Sequence, residues 1–217
     1  MQRGLDFHSF GEHFFEHLIF INEDYFVIDQ NFMDEQLFAV SPEAVPLIEN
    51  FINFERKRWE ICKALRPDKP RELYMPLLRE GKFTSDKLEQ ITIIDRLDLR
   101  PDGNFTLVEY KTEKFKTRGW KETEFRRELT FQKTTLETCP EFTKNFKGDI
   151  VDFVVYFPHS NSIMNESFNW RTADALHKHL EKMRLDISNS NYPCNVQQLC
   201  RWCNYNLMCS FDFKEKS

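Results

Sequence analysis

The spacing of hydrophobic positions along this chain changes several times, and each change marks an element. Residues 5–20 carry apolar side chains at helical spacing, which predicts a helix with Leu5, Phe7, Phe14, Phe15 and Leu18 toward the core. Ser41-Pro42-Glu43 has the form of a helix start, with Ser41 as cap and Pro42 as first residue, and that helix is expected to run to about Leu65, before Pro67. "RELYMPLL" predicts a strand near residues 71–78. "LEQITIIDRLDL" reads as a β-rich segment through Ile91, Ile93 and Ile94, "RPDGN" as a turn with Asp102-Gly103 as its hairpin signal, and "FTLVEYKT" as the returning strand. Residues 121–138 return to a helical pattern. "DIVDFVVYF" is continuously apolar, as a central strand buried on both faces is. "HSNS" is a turn, "IMNESFN" is expected to pair back, and residues 170–187 are helical. From Tyr192 the pattern is short, irregular and rich in cysteine.

The succession of helices, strands, helix, strand and helix, with no internal repeat or low-complexity linker, predicts one α/β domain. At 217 residues the chain is long enough for a sizeable core, and its 22 Phe predict a core rich in phenylalanine. No apolar run approaches the roughly 20 residues that span a bilayer. The first ten residues lack the apolar stretch of a secretory signal, so an intracellular, cytoplasmic protein without a membrane partner is expected. A net charge of −5 speaks against coating nucleic acid by charge alone, but not against an acidic site neutralised by metal ions.

The segment "IIDRLDLRPDGNFTLVEYKT" carries the most specific chemistry. Side chains alternate along a strand, so Glu109 and Lys111 share one face while Val108 and Tyr110 take the other. A hairpin at Asp102-Gly103 can lay this strand beside the preceding one and bring Asp95 to Glu109, with Lys111 alongside. Two carboxylates and a lysine meet the needs of phosphodiester hydrolysis. A divalent cation stabilises charge on the phosphate and acidifies the attacking water, and an ammonium orients that water or stabilises developing charge. The competing reading is a surface hairpin with its charges on the wet face.

Upstream, "RGLDFH" supplies Gly4 and His8. Together, Gly4-x-x-x-His8, "IIDRLD" with Asp95, and "VEYKT" with Glu109 and Lys111 resemble the RecB-like branch of the PD-(D/E)XK nucleases, including CRISPR-associated RecB-type and AddB-type exonucleases. The resemblance spans roughly residues 3–209. It implies a restriction-endonuclease-like α/β core with a central mixed sheet flanked by helices. It also implies Mg²⁺ or Mn²⁺ held by His8, Asp95, Glu109 and the backbone carbonyl of Tyr110, with Lys111 completing the catalytic set. The alternative for His8 is a helix-start histidine packed on Phe7, and the helical pair His13 and His17 does not fit the family spacing. Two motif positions depart from the family. The glycine before the aspartate motif is absent, where Thr92 and Ile93 stand, and the Gln-x-x-x-Tyr motif maps onto either Glu128 and Gln132 or Gln132 and Leu136. With Arg126 and Arg127, Glu128 and Gln132 are the expected nucleic-acid-binding positions. Lys114, Lys116, Arg118 and Lys121, interleaved with Phe115, Trp120 and Phe125, could extend that surface. The same stretch also reads as a solvated face paired internally through Glu122, Glu124 and Glu128.

Of six cysteines, Cys62, Cys139, Cys194, Cys200, Cys203 and Cys209, the last four lie within 24 residues. Thiolates so close suit zinc or an iron–sulfur cluster. The resemblance favours a [4Fe–4S] cluster on Cys200, Cys203 and Cys209, with Cys62 or Cys194 as fourth ligand, zinc as the alternative, and Cys139 as a bystander. The family's own first cysteine lies upstream of the histidine motif, where this sequence has none. The expected organisation is a nuclease domain over residues 1–190 and a cluster-binding tail over 191–217 packed on it. The implied activity is a DNA exonuclease acting on single strands or DNA ends, with CRISPR-adaptation or repair proteins as partners. The alternative is a non-catalytic iron–sulfur DNA-binding or assembly subunit in the same processes.

Overall fold

In the strand-rich middle of the chain, the turn signal does what its chemistry predicts. The Arg100–Gly103 turn closes with Gly103 N–H donating to the Arg100 carbonyl at 3.1 Å, and Gly103 takes a φ of 82°, open to glycine at no steric cost. It joins β4 (Gln90–Leu99) to β5 (Phe105–Tyr110) as an antiparallel pair with Arg96 opposite Val108. The computed structural model of the protein describes residues 2–115 and 120–191, without the side chains of Trp120 and Lys121.

Around this hairpin the sheet runs β3-β4-β5-β6-β7, with β3 at Leu78–Ser85, β6 at Ile150–Phe157 and β7 at Ser162–Ser167. All neighbours are antiparallel except β5 and β6, whose parallel pairing requires the crossover through α5 (Trp120–Thr138) and α6 (Pro140–Asn145). Helices α1 (Gln2–Phe14), α3 (Val45–Leu65) and α4 (Pro70–Tyr74) supply the core on the other face. The result is an α/β fold with a mixed five-stranded sheet between helices, consistent with the restriction-endonuclease-like core.

Alternation along β5 and β6 sorts their side chains between two cores. Val108, Tyr110, Val154 and Tyr156 join Phe7, Phe10, Phe14, Phe51, Trp59 and Tyr74 on the α1 and α3 face. Leu107, Phe153, Val155 and Phe157 join Phe125, Leu129, Leu136 and Phe142 on the α5 and α6 face. β6 is therefore covered on both sides, as its run of apolar residues, broken at Asp152, predicts. The chain divides into two units, Met1–Leu176 and His177–Ser217, and α7 spans Trp170–Ser188. Among the described residues no helix is long and apolar enough to cross a membrane.

Several elements differ from the expectation. Helix α1 ends at Phe14 and a short 3₁₀ turn follows, after which Leu18 to Ile21 form strand β1, paired with β2 (Tyr25–Ile28). The turn between them places Asn22 and Glu23 at positive φ, and the two short apolar runs on either side of Asn22-Glu23-Asp24 are the hairpin signal that the helical reading overran. Leu5 is exposed rather than buried, while Phe7, Phe14 and Phe15 are in the core. Helix α2 (Gln30–Ala39) was not expected; Asp29 caps it by accepting from Phe32 N–H at 3.1 Å. Ser41 does not cap the next helix. Its hydroxyl and amide both donate to Asp6 Oδ2, at 2.6 and 2.9 Å, and α3 starts at Val45. The predicted strand at 71–78 is instead helix α4, begun by Pro70 with its preset φ, and only Leu78 enters the sheet. Ile91 and Ile93 sit in β4 but face outward, leaving Ile94 as the buried member of the three.

Candidate active site

Strand β5 carries Glu109 on its α5 face, and Lys111 follows on the same side, while Val108 and Tyr110 enter the opposite core. The β4–β5 register brings Asp95 beside them, and Asp95 Oδ2 accepts the Tyr110 N–H at 2.6 Å. Lys111 Nζ donates to Glu109 Oε1 at 2.8 Å and to Glu128 Oε1 at 3.0 Å. From α5, Gln132 Nε2 donates to Glu109 Oε2 at 3.0 Å. His8 arrives on α1, with Nδ1 3.4 Å from Asp95 Oδ1. Gly4 lies tight against this seam, where a Cβ would sit 3.3 Å from Thr112 Oγ1, whereas a Cβ on Gly11 would make an ordinary contact 3.5 Å from the Tyr110 ring. Arg3 fastens the same end by donating to the Thr112 carbonyl at 3.1 Å.

Glu80 also joins this group. Arg79 pairs with Arg96 and Gly81 with Ile94, so Glu80 on β3 falls opposite Asp95, at the point where the ladder is interrupted. Glu80 has a φ of 44°, a left-handed conformation that costs a non-glycine residue about 1–3 kcal/mol. Its Oε1 lies 3.3 Å from His8 Nδ1. His8, Glu80 and Asp95 each offer a ligand atom, all within 4.8 Å of one another. Carboxylates with an imidazole and a further carboxylate, Glu109, close by are donors that suit Mg²⁺ or Mn²⁺, so the residues present fit such an ion.

The electrostatics show a site short of positive charge. Burial, then the neighbouring Asp95, push Glu109 up to about 7, against the opposing pull of Lys111 and Gln132. Burial works against protonated His8, yet hydrogen bonds and charge from Asp95 and Glu80 outweigh it and raise the imidazole to about 10. Lys111 likewise overcomes its burial through Glu109 and Glu128 and is raised above the ordinary lysine range. It is therefore a fixed ammonium donor and not a proton acceptor.

On the opposite face of the sheet lies a second charged cluster. Arg96 donates to Glu55 Oε1 at 2.6 Å, to the Tyr110 hydroxyl at 2.9 Å and to Asp98 Oδ2 at 2.6 Å. Arg58 donates to Glu55 Oε2 at 2.8 Å and stacks over Tyr74. Cys62, on α3, is buried beside this cluster and lines a cleft of about 580 Å³ between α3 and the sheet.

The structure thus gathers His8, Asp95, Glu109 and Lys111, together with the Tyr110 backbone. Of the expected nucleic-acid-binding positions, Glu128 holds Lys111, and Gln132 is buried against Glu109, so both serve the site from behind. Leu136, the other candidate motif position, is core. Arg127 is exposed, and Arg126 is paired with Glu166 at 2.6 Å. Phe115 and Phe125 pack against Phe157 and are not free to stack on bases. His13 bonds the Ser9 carbonyl and His17 stacks on Phe32, so neither joins the site. Cys139 is buried in the α5-side core. Lys116 and Arg118, and all of Cys194, Cys200, Cys203 and Cys209, lie outside the described residues. Glu80 escaped the sequence reading because its approach to Asp95 depends on β3–β4 register.

These features define a metal-dependent phosphodiesterase site on a mixed α/β sheet. The chain belongs to the PD-(D/E)XK nuclease superfamily, whose family model matches residues 2–210. No curated protein matches the chain.

Proposed function

We propose that the protein is a DNA exonuclease that hydrolyses phosphodiester bonds in single-stranded DNA or at DNA ends. The observation that carries this reading is the convergence of Asp95, Glu109 and Lys111 on one half-buried face, with His8 delivered by a separate helix. Asp95, Glu109, His8 and the Tyr110 carbonyl hold the divalent cation. When bound, that ion offsets charge on the phosphate and lowers the pKa of the attacking water. Lys111 is kept as an ammonium between Glu109 and Glu128, where it directs N–H groups at the water or at the phosphate oxygens. Gln132 fixes the Glu109 carboxylate through Oε2 and leaves its geometry set before substrate arrives. Arg127 and the basic residues after β5 give the backbone of a single strand positive charge to follow.

In the same reading, Cys200, Cys203 and Cys209 bind a [4Fe–4S] cluster with Cys62 or Cys194, and the protein works beside CRISPR-adaptation or repair proteins. Cys62 lies on the α3 side of the sheet, away from Glu109, so its cluster would be structural rather than catalytic.

The test is digestion of end-labelled single- and double-stranded DNA with Mn²⁺, Mg²⁺ or EDTA. Stepwise shortening of single strands that EDTA stops and Lys111→Ala slows by roughly 10²–10³-fold is the expected result. Undiminished cleavage by the Lys111 variant, or none by the native protein with either ion, refutes it. Iron and acid-labile sulfide in anaerobically purified protein, both lost in Cys203→Ala, check the cluster, whereas stoichiometric zinc without sulfide overturns it.

A further inference from the structure

Behind the sheet, the cleft between α3 and the strands carries a mismatch in hydrogen bonding. Arg96 and Asp98 line it, only 1% and 8% exposed. Arg96 uses its terminal nitrogens on Glu55, Tyr110 and Asp98, yet its Nε has no partner among the described residues. Asp98 is held through Oδ2, and its Oδ1 has none. A buried donor and a buried acceptor, two residues apart on one face of β4, are therefore both unmet, which protein interiors rarely tolerate.

Charge limits what can meet them. Glu55 and Asp98 already balance Arg58 and Arg96, so a charged head would leave one buried charge uncompensated. The fitting head is neutral and presents an acceptor beside a donor. Most of the remaining lining is apolar, including Phe54, Ile61, Leu99, Val154 and Ile163, and the volume of about 580 Å³ is that of a small-molecule site. Lys57 also lines the cleft; it is exposed and has no ion-pair partner among the described residues. An apolar ring with a neutral donor–acceptor edge and an anionic tail has the chemistry of a nucleotide, since every base carries a donor next to an acceptor on its Watson–Crick edge.

We propose that this cleft binds a mononucleotide, with the base edge on Arg96 Nε and Asp98 Oδ1, the ring against the apolar walls and the phosphate toward Lys57. For the choice of ligand this rests on the exonuclease reading above, because mononucleotides are what such a reaction releases. The site lies on the opposite face of the sheet from Glu109 and is separate from the reaction centre. Cys62 lines the same cleft, so a nucleotide here leaves Cys194 to complete the proposed cluster.

The test is calorimetric titration of the full chain with deoxyadenosine monophosphate, without added divalent metal, so that no turnover is needed. A single nucleotide bound per chain is expected, and deoxyribose 5-phosphate, which lacks the base, is expected not to bind. Ile163→Trp, a substitution at an exposed position of β7, fills the cleft and is expected to abolish binding. Lys57→Glu, on the exposed side of α3, is expected to weaken the nucleotide about two- to fivefold and to leave deoxyadenosine unaffected. No binding by the native chain of this or the other three mononucleotides overturns the inference and leaves the nuclease reading intact. Binding unchanged in both variants places the nucleotide elsewhere and overturns it as well. Sugar phosphate bound as tightly as the nucleotide overturns recognition through the base.

Discussion

Two charged clusters lie back to back across strands β4 and β5, built in part from residues adjacent in sequence, and they have opposite electrostatic characters. Behind the sheet, Glu55 and Asp98 face Arg58 and Arg96, two charges of each sign, with Tyr110 and Tyr74 completing the group. Burial alone would raise the Glu55 carboxyl, but Arg58 and Arg96 outweigh it and hold Glu55 below the ordinary range. In front, Glu80, Asp95 and Glu109 outnumber their internal cations, and Glu109 is raised to about 7. The first cluster balances its charge as folded, although the Tyr74 hydroxyl, Arg96 Nε and Asp98 Oδ1 find no hydrogen-bond partner in it. The second is complete only when something positive enters, which separates a structural ion network from a functional one more reliably than burial does, since Glu55, Asp95 and Glu109 are all buried.

Removing one carboxylate from each cluster sharpens the contrast most. Glu55→Ala leaves two buried guanidinium groups short of their partner and is expected to destabilise the protein by about 3–5 kcal/mol. Glu109→Gln, in metal-free protein, relieves repulsion from Asp95 and is expected to leave stability unchanged or raised. Urea denaturation of both variants measures this, and equal losses would erase the distinction. Next in size, Lys111→Ala is expected to lower the single-turnover cleavage rate roughly 10²–10³-fold with little change in melting temperature, because its ammonium acts on the reaction and not on the core.

The pH dependence has a definite sign. A carboxyl raised above its unfolded value costs the folded state stability as pH rises from about 4.5 to about 7, and Glu109 is such a group. His8 contributes stability that is complete below about 6.5 and disappears as pH rises through about 10. Metal-free protein should therefore melt at progressively lower temperature from pH 5 to pH 10. Mn²⁺ affinity should rise over the same range as protons leave the site. A melting temperature flat with pH would contradict both. The smallest effect belongs to Glu128→Gln. Its pair with Lys111 is partly exposed, worth about 0–1 kcal/mol, so a loss of roughly fivefold at most in rate is expected.

Much of the front cluster was legible because it depends on local rules. Strand alternation puts Glu109 and Lys111 on one face, and Asp102-Gly103 dictates the hairpin that returns Asp95 to them. The central strand at Ile150–Phe157 was equally plain from its apolar run. What depended on longer-range pairing was not legible. "LREGKFTS" gives no sign that Glu80 will face Asp95, since that follows from antiparallel register across β3 and β4. Glu55 looks like an ordinary polar residue of an amphipathic helix until Arg96, 41 positions later, arrives beneath it. Ser41 and Pro42 carried a sound capping signal that a tertiary contact to Asp6 overrode.

Tyr110 belongs to both clusters at once. Its amide holds Asp95 in front, and its hydroxyl receives Arg96 behind. Heat that loosens α3 would thus reach the reaction centre through one tyrosine before the sheet itself comes apart. Cleavage should fade on warming some degrees below the melting transition, and a substitution at Arg96, on the far side of the sheet from any substrate, should behave in a genetic screen as an active-site lesion that a lower growth temperature corrects.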